Sequence, residues 1–211
     1  NFDRSFSHKM KVMQRSQEQY DEKKKQKKEL IMGVALELFA KKGYHATSIS
    51  QITQKAKISK GLIYNYFESK KEILDELIAH GFDEIYNNFD LNKDGTLTED
   101  EFVYFVKQSF KLVHENSQHW KLFFSLLLQP SITETFANDY REKAAPVFNM
   151  LLNFIQSKGS KDPEGDLIAI SSMLEGAFLY YVTMPGFFNK EKMEKTITDA
   201  CFRIINNQKT T

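Results

Sequence analysis

Two short helical patterns lie close together in the N-terminal third of the chain, and their spacing constrains the fold more than any other feature. The first pattern carries Ile49, Ile52 and Ala56 on one face, and the second carries Ile63 and Phe67 at i,i+4 spacing. Only about three residues separate the two patterns, which leaves room for a tight turn and nothing longer. The sequence therefore predicts a helix-turn-helix unit.

The outward side of the second helix indicates what such a unit could bind. Lys60, Gly61, Tyr64 and Asn65 fall on that side, which makes it basic, polar and aromatic. A lysine in the first helical turn can reach a guanine edge or a phosphate, and a glycine there lets the backbone approach the groove wall closely. Any one of these residues alone would favour an amphipathic helical hairpin packed into an all-helical core. Together they predict a helix that reads DNA.

Polar residues at the helix ends support the same interpretation. Thr47 or Ser48 can cap the first helix, and Ser59 can cap the second. A helix N-terminus presents unpaired N–H groups and a partial positive charge, which suit a phosphate group. Tyr64 and Tyr66 add hydroxyl groups that can donate to phosphate oxygens. We therefore expect this segment to contact the DNA backbone as well as the bases.

The same segment resembles a known family. The stretch from about Lys25 to Leu77 is similar to the N-terminal DNA-binding domain of the tetracycline-repressor (TetR) family of bacterial regulators. The matching segments are Ala-Leu-Glu-Leu-Phe-Ala-Lys-Lys-Gly-Tyr at 35–44, Thr-Ser-Ile at 47–49 and Ser-Lys-Gly-Leu-Ile-Tyr-Asn-Tyr-Phe-Glu-Ser-Lys at 59–70. The resemblance covers about a quarter of the chain, and its motif is dense.

The resemblance implies roles for individual residues. It implies base-edge contacts near Lys60 and Gly61, and it places Leu62 and Asn65 where the family varies, so these two are candidates for operator choice. It also implies phosphate contacts from Thr47, Ser48, Tyr66 and Lys70. The turn departs from the family pattern, because Lys57 stands where glycine is usual. If that residue needs a positive φ, lysine there costs on the order of 1 kcal/mol.

The charge of the chain is distributed unevenly. The formal net charge is only +1, but residues 1–73 contain 16 Lys/Arg against 8 Asp/Glu, whereas residues 74–211 contain 13 against 20. The basic part is the part with the helix-turn-helix, as neutralisation of DNA phosphates requires. The lysine-rich run at 23–28 would lie near the phosphate backbone, or would simply be a solvated helix end. Architectural binding through phosphates alone would need a broader basic surface, and the charge division argues against it.

The remaining sequence predicts an all-α protein. Glycine and proline account for 9 and 4 of the 211 residues, 41% of residues are hydrophobic, and no segment alternates as a strand would. We expect an N-terminal extension at 1–22, a three-helix DNA-binding domain at 23–71, and, by the family resemblance, a helical effector-binding and dimerisation domain at 72–211. Helices are predicted at about 24–42, 71–89, 99–115, 118–128, 132–157, 164–184 and 190–206.

Residues 90–101 form the second informative motif. They have the spacing of an EF-hand calcium loop, with oxygen-bearing side chains at positions 1, 3 and 5, glycine at 6, an aliphatic residue at 8 and glutamate at 12. We expect Ca²⁺, with Mg²⁺ as the alternative ion. The predicted ligands are Asp90, Asn92, Asp94, the Thr96 carbonyl and a bidentate Glu101.

A metal-free explanation of this motif is open as well. Asp94-Gly95 is an ordinary turn sequence, and Thr98-x-x-Glu101 is a capping box that begins a helix without any ion. EF-hands usually occur in pairs, and the sequence shows one. If an ion binds, it would fix the angle between the flanking helices, either as a structural clip or as a regulatory input.

The family resemblance also implies an apolar effector pocket in the C-terminal part, whose aromatic and methionine side chains could equally form core or dimer interface. The candidate lining residues are Phe105, Trp120, Phe124, Met150, Phe154, Met173 and Tyr180. By the same resemblance, the helices at 164–184 and 190–206 would form a four-helix interface in a homodimer. A homodimer also follows from mechanism, because one recognition helix reads only a few base pairs and two would read a palindromic operator.

Other classes of protein receive little support from the sequence. The single cysteine, Cys201, excludes an internal disulfide and fits a reducing cytoplasm, and its stripe with Ile197, Ile204 and Ile205 predicts a buried structural thiol. No apolar run reaches the roughly 18 residues that span a membrane. The histidines are dispersed, and neither a nucleophile motif nor a glycine-rich phosphate loop occurs, so we expect neither an enzyme nor an organic cofactor.

The sequence thus predicts a cytoplasmic, homodimeric, ligand-responsive transcriptional regulator, with repression the expected mode. It would bind double-stranded operator DNA and a small apolar effector. The competing class is a calcium-responsive or calcium-binding helical protein in which the cation is the main input. That class would leave the Ser59–Lys70 motif and the basic N-terminal part without an explanation.

Overall fold

The computed structural model describes residues 2–206, including all side chains except those of 2–16 and 135–140. Every regular element in the described range is an α-helix, which confirms the predicted all-α class. The helices are α1 (Phe2–Lys42), α2 (Ile49–Ala56), α3 (Lys60–Ile63), α4 (Lys70–Tyr86), α5 (Glu99–Glu115), α6 (Ser117–Leu127), α7 (Pro130–Ser157), α8 (Pro163–Thr183) and α9 (Lys190–Asn206). None of the described helices combines the length and the apolar character that crossing a membrane requires.

The chain divides into two compact units, and the first comprises residues 1–77. Its core forms around one face of α1, where Ile31, Ala35 and Phe39 recur at i,i+4 spacing and are fully buried. Ile52 of α2 and Ile63 of α3 are also completely buried. The apolar sides of the two short helices therefore face the core, which leaves their opposite sides for solvent.

The second unit comprises residues 78–211, and within its described part α5, α6, α7, α8 and α9 pack around an aromatic core. The largest buried side chains in this unit are Phe89, Phe102, Phe110, Trp120 and Phe123. Cys201 is fully buried as predicted, and burial raises the pKa of its thiol to about 11. The sulfur is therefore a protonated thiol at neutral pH and a poor nucleophile.

The largest differences from the sequence prediction are in two helices, and α4 also ends at Tyr86 instead of near residue 89. α1 begins at Phe2 instead of near residue 24, and α3 ends at Ile63 instead of continuing towards Phe67. After α3 the backbone tightens, because the Ile63 carbonyl accepts from the N–H groups of both Tyr66 and Phe67, at 3.0 Å each. The second of these bonds keeps Ile63 and Phe67 one helical turn apart, so both side chains still reach the core.

Gly81 of α4 lies against Phe123 of α6. A Cβ atom at this position would lie 2.3 Å from Cζ and 2.4 Å from Cε2 of the Phe123 ring. Glycine is required here by the space between the helices, since any side chain would overlap the ring.

Candidate nucleic-acid interface and ligand cavity

The N-terminus of α2 is closed by a capping box, with Ser48 and not Thr47 as the cap. The Ser48 hydroxyl accepts from the Gln51 N–H at 3.2 Å, and the Gln51 side chain accepts from the Ser48 N–H at 2.8 Å. Both residues lie at the surface of the unit. The reciprocal bonds fix where α2 begins and leave the Ser48 side chain in solvent, where the predicted phosphate contact would be made.

The turn between α2 and α3 contains the residue at which the chain departs from the family pattern. Lys57 has φ 53° and ψ 47°, in the left-handed region that favours glycine. The turn is closed by bonds from the Lys57 N–H to the Gln54 carbonyl at 3.3 Å and from the Ile58 N–H to the Thr53 carbonyl at 3.0 Å. The position thus has the positive φ that was considered as a condition from the sequence, so the lysine here is strained.

Substitution of this lysine tests the strain directly. We expect Lys57→Gly to raise the free energy of unfolding by about 0.5–1 kcal/mol, because glycine adopts the left-handed conformation without a steric penalty. Urea denaturation measures the change. Gln54→Gly is the control, since this exposed residue lies inside α2 and glycine there should lower stability by roughly 0.5–1 kcal/mol. A loss of stability in both variants would contradict the assigned strain.

The candidate reading face surrounds α3. The Ser59 hydroxyl caps this helix as predicted, accepting from the Leu62 N–H at 3.2 Å. Lys60 and Gly61 are exposed in its first turn. The rest of the face consists of exposed Tyr64 and Asn65 and of partly buried Leu62 and Tyr66. The structure therefore gathers eight of the ten sequence-predicted DNA-binding residues, counting Ser48, on the solvent side of the helix-turn-helix.

The two remaining candidates, Thr47 and Lys70, point into the protein. Thr47 is 1% exposed, and its hydroxyl donates to the Gly43 carbonyl at 2.9 Å. The Lys70 ammonium donates to the carbonyls of Tyr44 and Thr47, at 2.8 Å each, and lies 4.4 Å from the centre of the Tyr44 ring. Burial lowers the pKa of Lys70. Lys70 thus clamps the α1–α2 connection, and a phosphate contact from its ammonium would compete with these bonds.

A second polar contact joins α1 to α2. The Glu37 carboxylate pairs with Lys41 at 2.8 Å and with Lys55 at 2.7 Å, and these hydrogen bonds lower its pKa to about 2. Two of the lysines near the helix-turn-helix are therefore engaged by a carboxylate. Lys57 and Lys60 are also exposed, on the side of the turn and of α3. These two lysines offer positive charge to a polyanion beside the reading face.

The second unit contains an apolar cavity of about 850 Å³. Its wall combines a stripe of α4 with side chains of α5, α6, α7 and α8. The aromatic members of the wall are Phe82, Tyr86, Phe89, Phe105, Phe123, Phe124, Phe148 and Phe178. Fewer polar residues line the cavity, and they include Thr133, Arg141, Asn149, Ser171 and Glu175. Such a cavity has the size and composition of a site for a small amphiphilic molecule.

Only part of the predicted pocket lining coincides with this cavity. Phe105 and Phe124 lie in its wall. Trp120 and Phe154 are buried in the core outside the wall, and Tyr180 is 51% exposed. Met150 and Met173 also lie outside the wall. Ile78, Phe82 and Ile85 of α4, and Phe89 just after it, also line the cavity. Their position beside an open space depends on packing.

The 90–101 loop is held by hydrogen bonds among its own residues. The Asp90 carboxylate accepts from the Gly95 N–H at 2.9 Å, and Asp94 accepts from the Thr96 hydroxyl at 2.6 Å. Glu101 accepts from the Thr98 hydroxyl at 2.8 Å in the predicted capping box. These bonds lower the pKa of both Asp94 and Glu101. In the described part of the chain, no three acidic, histidine or cysteine side chains are gathered as an ion site.

Comparison with known proteins supports the assignment of the N-terminal unit. Residues 31–77 match the family model of bacterial regulatory proteins of the tetR family. The chain is 34% identical over 108 residues to the HTH-type transcriptional regulator YuxN of Bacillus subtilis, a match covering 50% of this chain and 35% of that protein. It is 41% identical over 51 residues to QacR of Staphylococcus aureus, covering 24% of this chain and 27% of that one. The matched segments thus span about a third or less of these relatives.

Solved structures extend the similarity to most of the chain. A transcriptional regulator of Aquifex aeolicus superimposes with a TM-score of 0.62 at 26% identity, over 84% of this chain and 99% of its own. The fatty acid degradation regulator FadR of Bacillus halodurans shares the fold with a TM-score of 0.63 at 20% identity, over 88% and 97%. Residues 31–77 thus match the tetR family model, and the chain as a whole shares the fold of these solved transcriptional regulators.

Proposed function

We propose that this protein is a ligand-responsive repressor that binds a palindromic operator as a homodimer. The observation that carries the proposal is the two-sided α3 segment. Ile63 and Phe67 anchor it in the core, while Lys60, Tyr64 and Asn65 are exposed beside a capped α2. A short helix fixed from behind and polar in front can enter the major groove without losing its orientation.

The surface of the second unit supports the dimer. Large apolar side chains are exposed on α8 and on the segment that follows it, and Phe187 is 73% exposed. The other members of this apolar surface are Ile168, Leu179, Tyr180, Met184 and Phe188. Apolar side chains concentrated on one segment are typical of a protein interface. A second copy of the chain is the occupant that a palindromic operator requires.

The cavity supplies a route for control by a ligand. α4 is one continuous helix, in which Ile73 and Leu74 belong to the core of the first unit, whereas Phe82 and Ile85 line the cavity. A ligand that displaces the cavity-lining turns of α4 would alter the position of its first turns. We propose that operator release follows from this displacement, as a shift between two arrangements that the ligand binds with different affinities.

The reading face is tested by one substitution. We expect Lys60→Ala to weaken binding to the preferred duplex about tenfold, the lower part of the range for loss of a base or phosphate contact. Fluorescence anisotropy with a labelled duplex measures the affinity. Lys107→Ala is the control, because this lysine is exposed on α5 of the second unit and should leave affinity unchanged. Equal affinities for the wild type and Lys60→Ala would mean that the recognition helix is misassigned.

Substitution of Leu62 or Asn65 should change which DNA sequence the protein prefers.

We also propose a cation, Ca²⁺ or else Mg²⁺, in the 90–101 loop. The supporting observation is the Asp90 Oδ1 atom, which is buried and has no hydrogen-bond partner among the described residues. A buried carboxylate oxygen without a partner is costly unless a cation or a donor reaches it. Asn92, Asp94, Thr96 and Glu101 would complete the site by exchanging their present bonds for the ion. The bound ion would neutralise the loop carboxylates and hold α5 against the end of α4.

Calorimetric titration tests this second proposal. We expect Ca²⁺ to bind with a Kd of roughly 10⁻⁴–10⁻³ M, typical of weak sites of this type. Asp90→Asn should abolish the binding heat. Asp100→Asn should retain it, since this exposed residue of the first turn of α5 is not among the proposed ligands. Absence of heat with Ca²⁺ and with Mg²⁺ would leave the loop as a capped turn.

A further inference from the structure

We infer that the cavity of the second unit takes amphiphiles with a positively charged head, such as an alkylammonium ion, and that Glu175 is the partner of that head. This inference rests on the proposed role of the cavity as the effector site. It adds the chemical class of the effector, which the family resemblance leaves open.

The apolar part of the wall suits such a molecule. The cavity holds about 850 Å³, enough for a drug-sized apolar body. Eight aromatic residues contribute to the wall. The faces of aromatic rings carry a negative quadrupole, so they attract a cation and repel an anion. Wherever a ring presents its face to the cavity, a positively charged ligand is favoured over its negatively charged counterpart.

A polar group on α8 also favours a positively charged ligand. Glu175 lies in the wall beside Leu174 and Phe178, and its side chain is exposed to solvent. Within the described part of the chain, its carboxylate has neither a hydrogen-bond donor nor a cationic partner. Burial alone raises its pKa. A ligand cation beside the carboxylate would stabilise the ionised form and would remove the cost of its partial desolvation.

Two other wall residues present acceptors to a ligand. The Ser171 hydroxyl donates to the Leu167 carbonyl at 2.8 Å, and the Thr133 hydroxyl donates to the Pro130 carbonyl at 3.0 Å. With their protons used in this way, both hydroxyls offer lone pairs to the cavity. Three polar groups of the wall, Glu175 included, therefore favour a ligand that donates hydrogen bonds or carries positive charge.

Arg141 of α7 is the group that would favour the opposite charge. It lies in the wall as well, and it is exposed. An anionic amphiphile would pair with its guanidinium and would leave Glu175 without a partner. Arg141 and the neutral amide of Asn149 are the donors in the wall, against the acceptors Glu175, Ser171 and Thr133, and the experiment is designed to distinguish the two charges.

Three probes with the same apolar chain separate the contribution of the head group. They are decyltrimethylammonium, decanoate and decanol, each titrated below its micellar concentration. The reporter is the fluorescence of Trp120, the single tryptophan, whose ring centre lies 5.4 Å from that of Phe123 and 6.0 Å from that of Phe124 in the cavity wall. We expect the ammonium probe to bind about tenfold more tightly than decanol, the ratio for one additional charge contact in a partly desolvated site.

Variants assign this preference to one residue. Glu175→Gln should remove the advantage of the ammonium probe while leaving the affinity for decanol unchanged. Glu175→Asp should retain part of the advantage, and Arg141→Gln should retain all of it. Thermal unfolding and sedimentation of each variant establish that the fold and the oligomeric state are those of the wild type.

Several results would overturn the inference. One is tightest binding by decanoate with loss of that affinity in Arg141→Gln. Another is equal affinity for all three probes, and a third is a Glu175→Gln variant that changes only the oligomeric state. Operator selection with ligand-free protein is run in parallel. A recovered operator with no preference for the ammonium probe overturns this inference alone, whereas failure to recover any operator overturns the proposed function.

Discussion

Replacement of Lys70 by methionine is expected to lower the free energy of unfolding of the first unit by about 2 kcal/mol, within the range for loss of charge-assisted hydrogen bonds. The ammonium group donates to the Tyr44 and Thr47 carbonyls and lies over the Tyr44 ring. Methionine preserves the apolar stem but removes the ammonium donor from both carbonyls, so that the Tyr44 carbonyl keeps only its bond from the Thr47 N–H. Urea denaturation monitored by circular dichroism measures the loss.

The neighbouring lysine provides the control. Lys71 is exposed and pairs with Asp75 at i,i+4, a contact worth at most about 0.5 kcal/mol, so Lys71→Met should change stability little. Measurements of DNA affinity distinguish a structural role of Lys70 from a contact to a DNA phosphate. If Lys70 contacted only phosphate, its substitution would leave the stability unchanged. It would lower the number of counterions released on DNA binding by about one. That pattern in Lys70→Met would contradict the structural role assigned here.

Substitution of Gly81 by alanine is expected to lower the free energy of unfolding by about 1–3 kcal/mol, the usual effect of overpacking a core. The added methyl group would overlap the Phe123 ring, which is 1% exposed. The ring packs against Phe82, Trp120 and Phe124, so a shift that made room for the methyl group would disturb these contacts. Thermal or chemical unfolding of the variant measures the effect.

Gly33, another helical glycine, is the matched control, because its replacement by alanine should raise the free energy of unfolding instead of lowering it. Nothing lies within 4 Å of a Cβ atom built on Gly33 in α1, so Gly33→Ala should stabilise the protein by roughly 0.5–1 kcal/mol. Phe123→Leu combined with Gly81→Ala should recover part of the lost stability, because the smaller side chain makes room for the methyl group. Similar small effects of Gly81→Ala and Gly33→Ala would show that α4 and α6 are not closely packed at this point.

Much of the fold could be predicted because local signals and packing agree. Ile52 and Ile63 could be identified as buried from spacing alone, and both are fully buried. The predicted ranges of α5 and α9 match the observed ones, and α5 begins at a capping box formed by Thr98 and Glu101. Proline at the first position of α7 and of α8 marks where these helices begin, since proline lacks the N–H that an interior position needs.

The features that could not be predicted arise from contacts between distant residues. Lys70 and Thr47 are 23 positions apart, and nothing in the local sequence shows that the ammonium of one donates to the carbonyl of the other. Similarly, Phe124 and Trp120 lie four positions apart on α6, yet Phe124 lines the cavity and Trp120 is core. Which side of an aromatic helix faces an open space is decided by the arrangement of its neighbours, and one sequence does not specify that arrangement.

The most direct test of the central claim is selection of bound duplexes from a randomised DNA library by the ligand-free protein. The account predicts enrichment of one palindromic sequence whose half-sites lie about one helical turn apart, or a multiple of it, and loss of that enrichment in Lys60→Ala. Parallel selections with Ca²⁺ and with a chelator show whether the 90–101 loop influences recognition. A protein that retains no sequence above background under either condition would contradict the assignment of the α3 face as a reader of DNA.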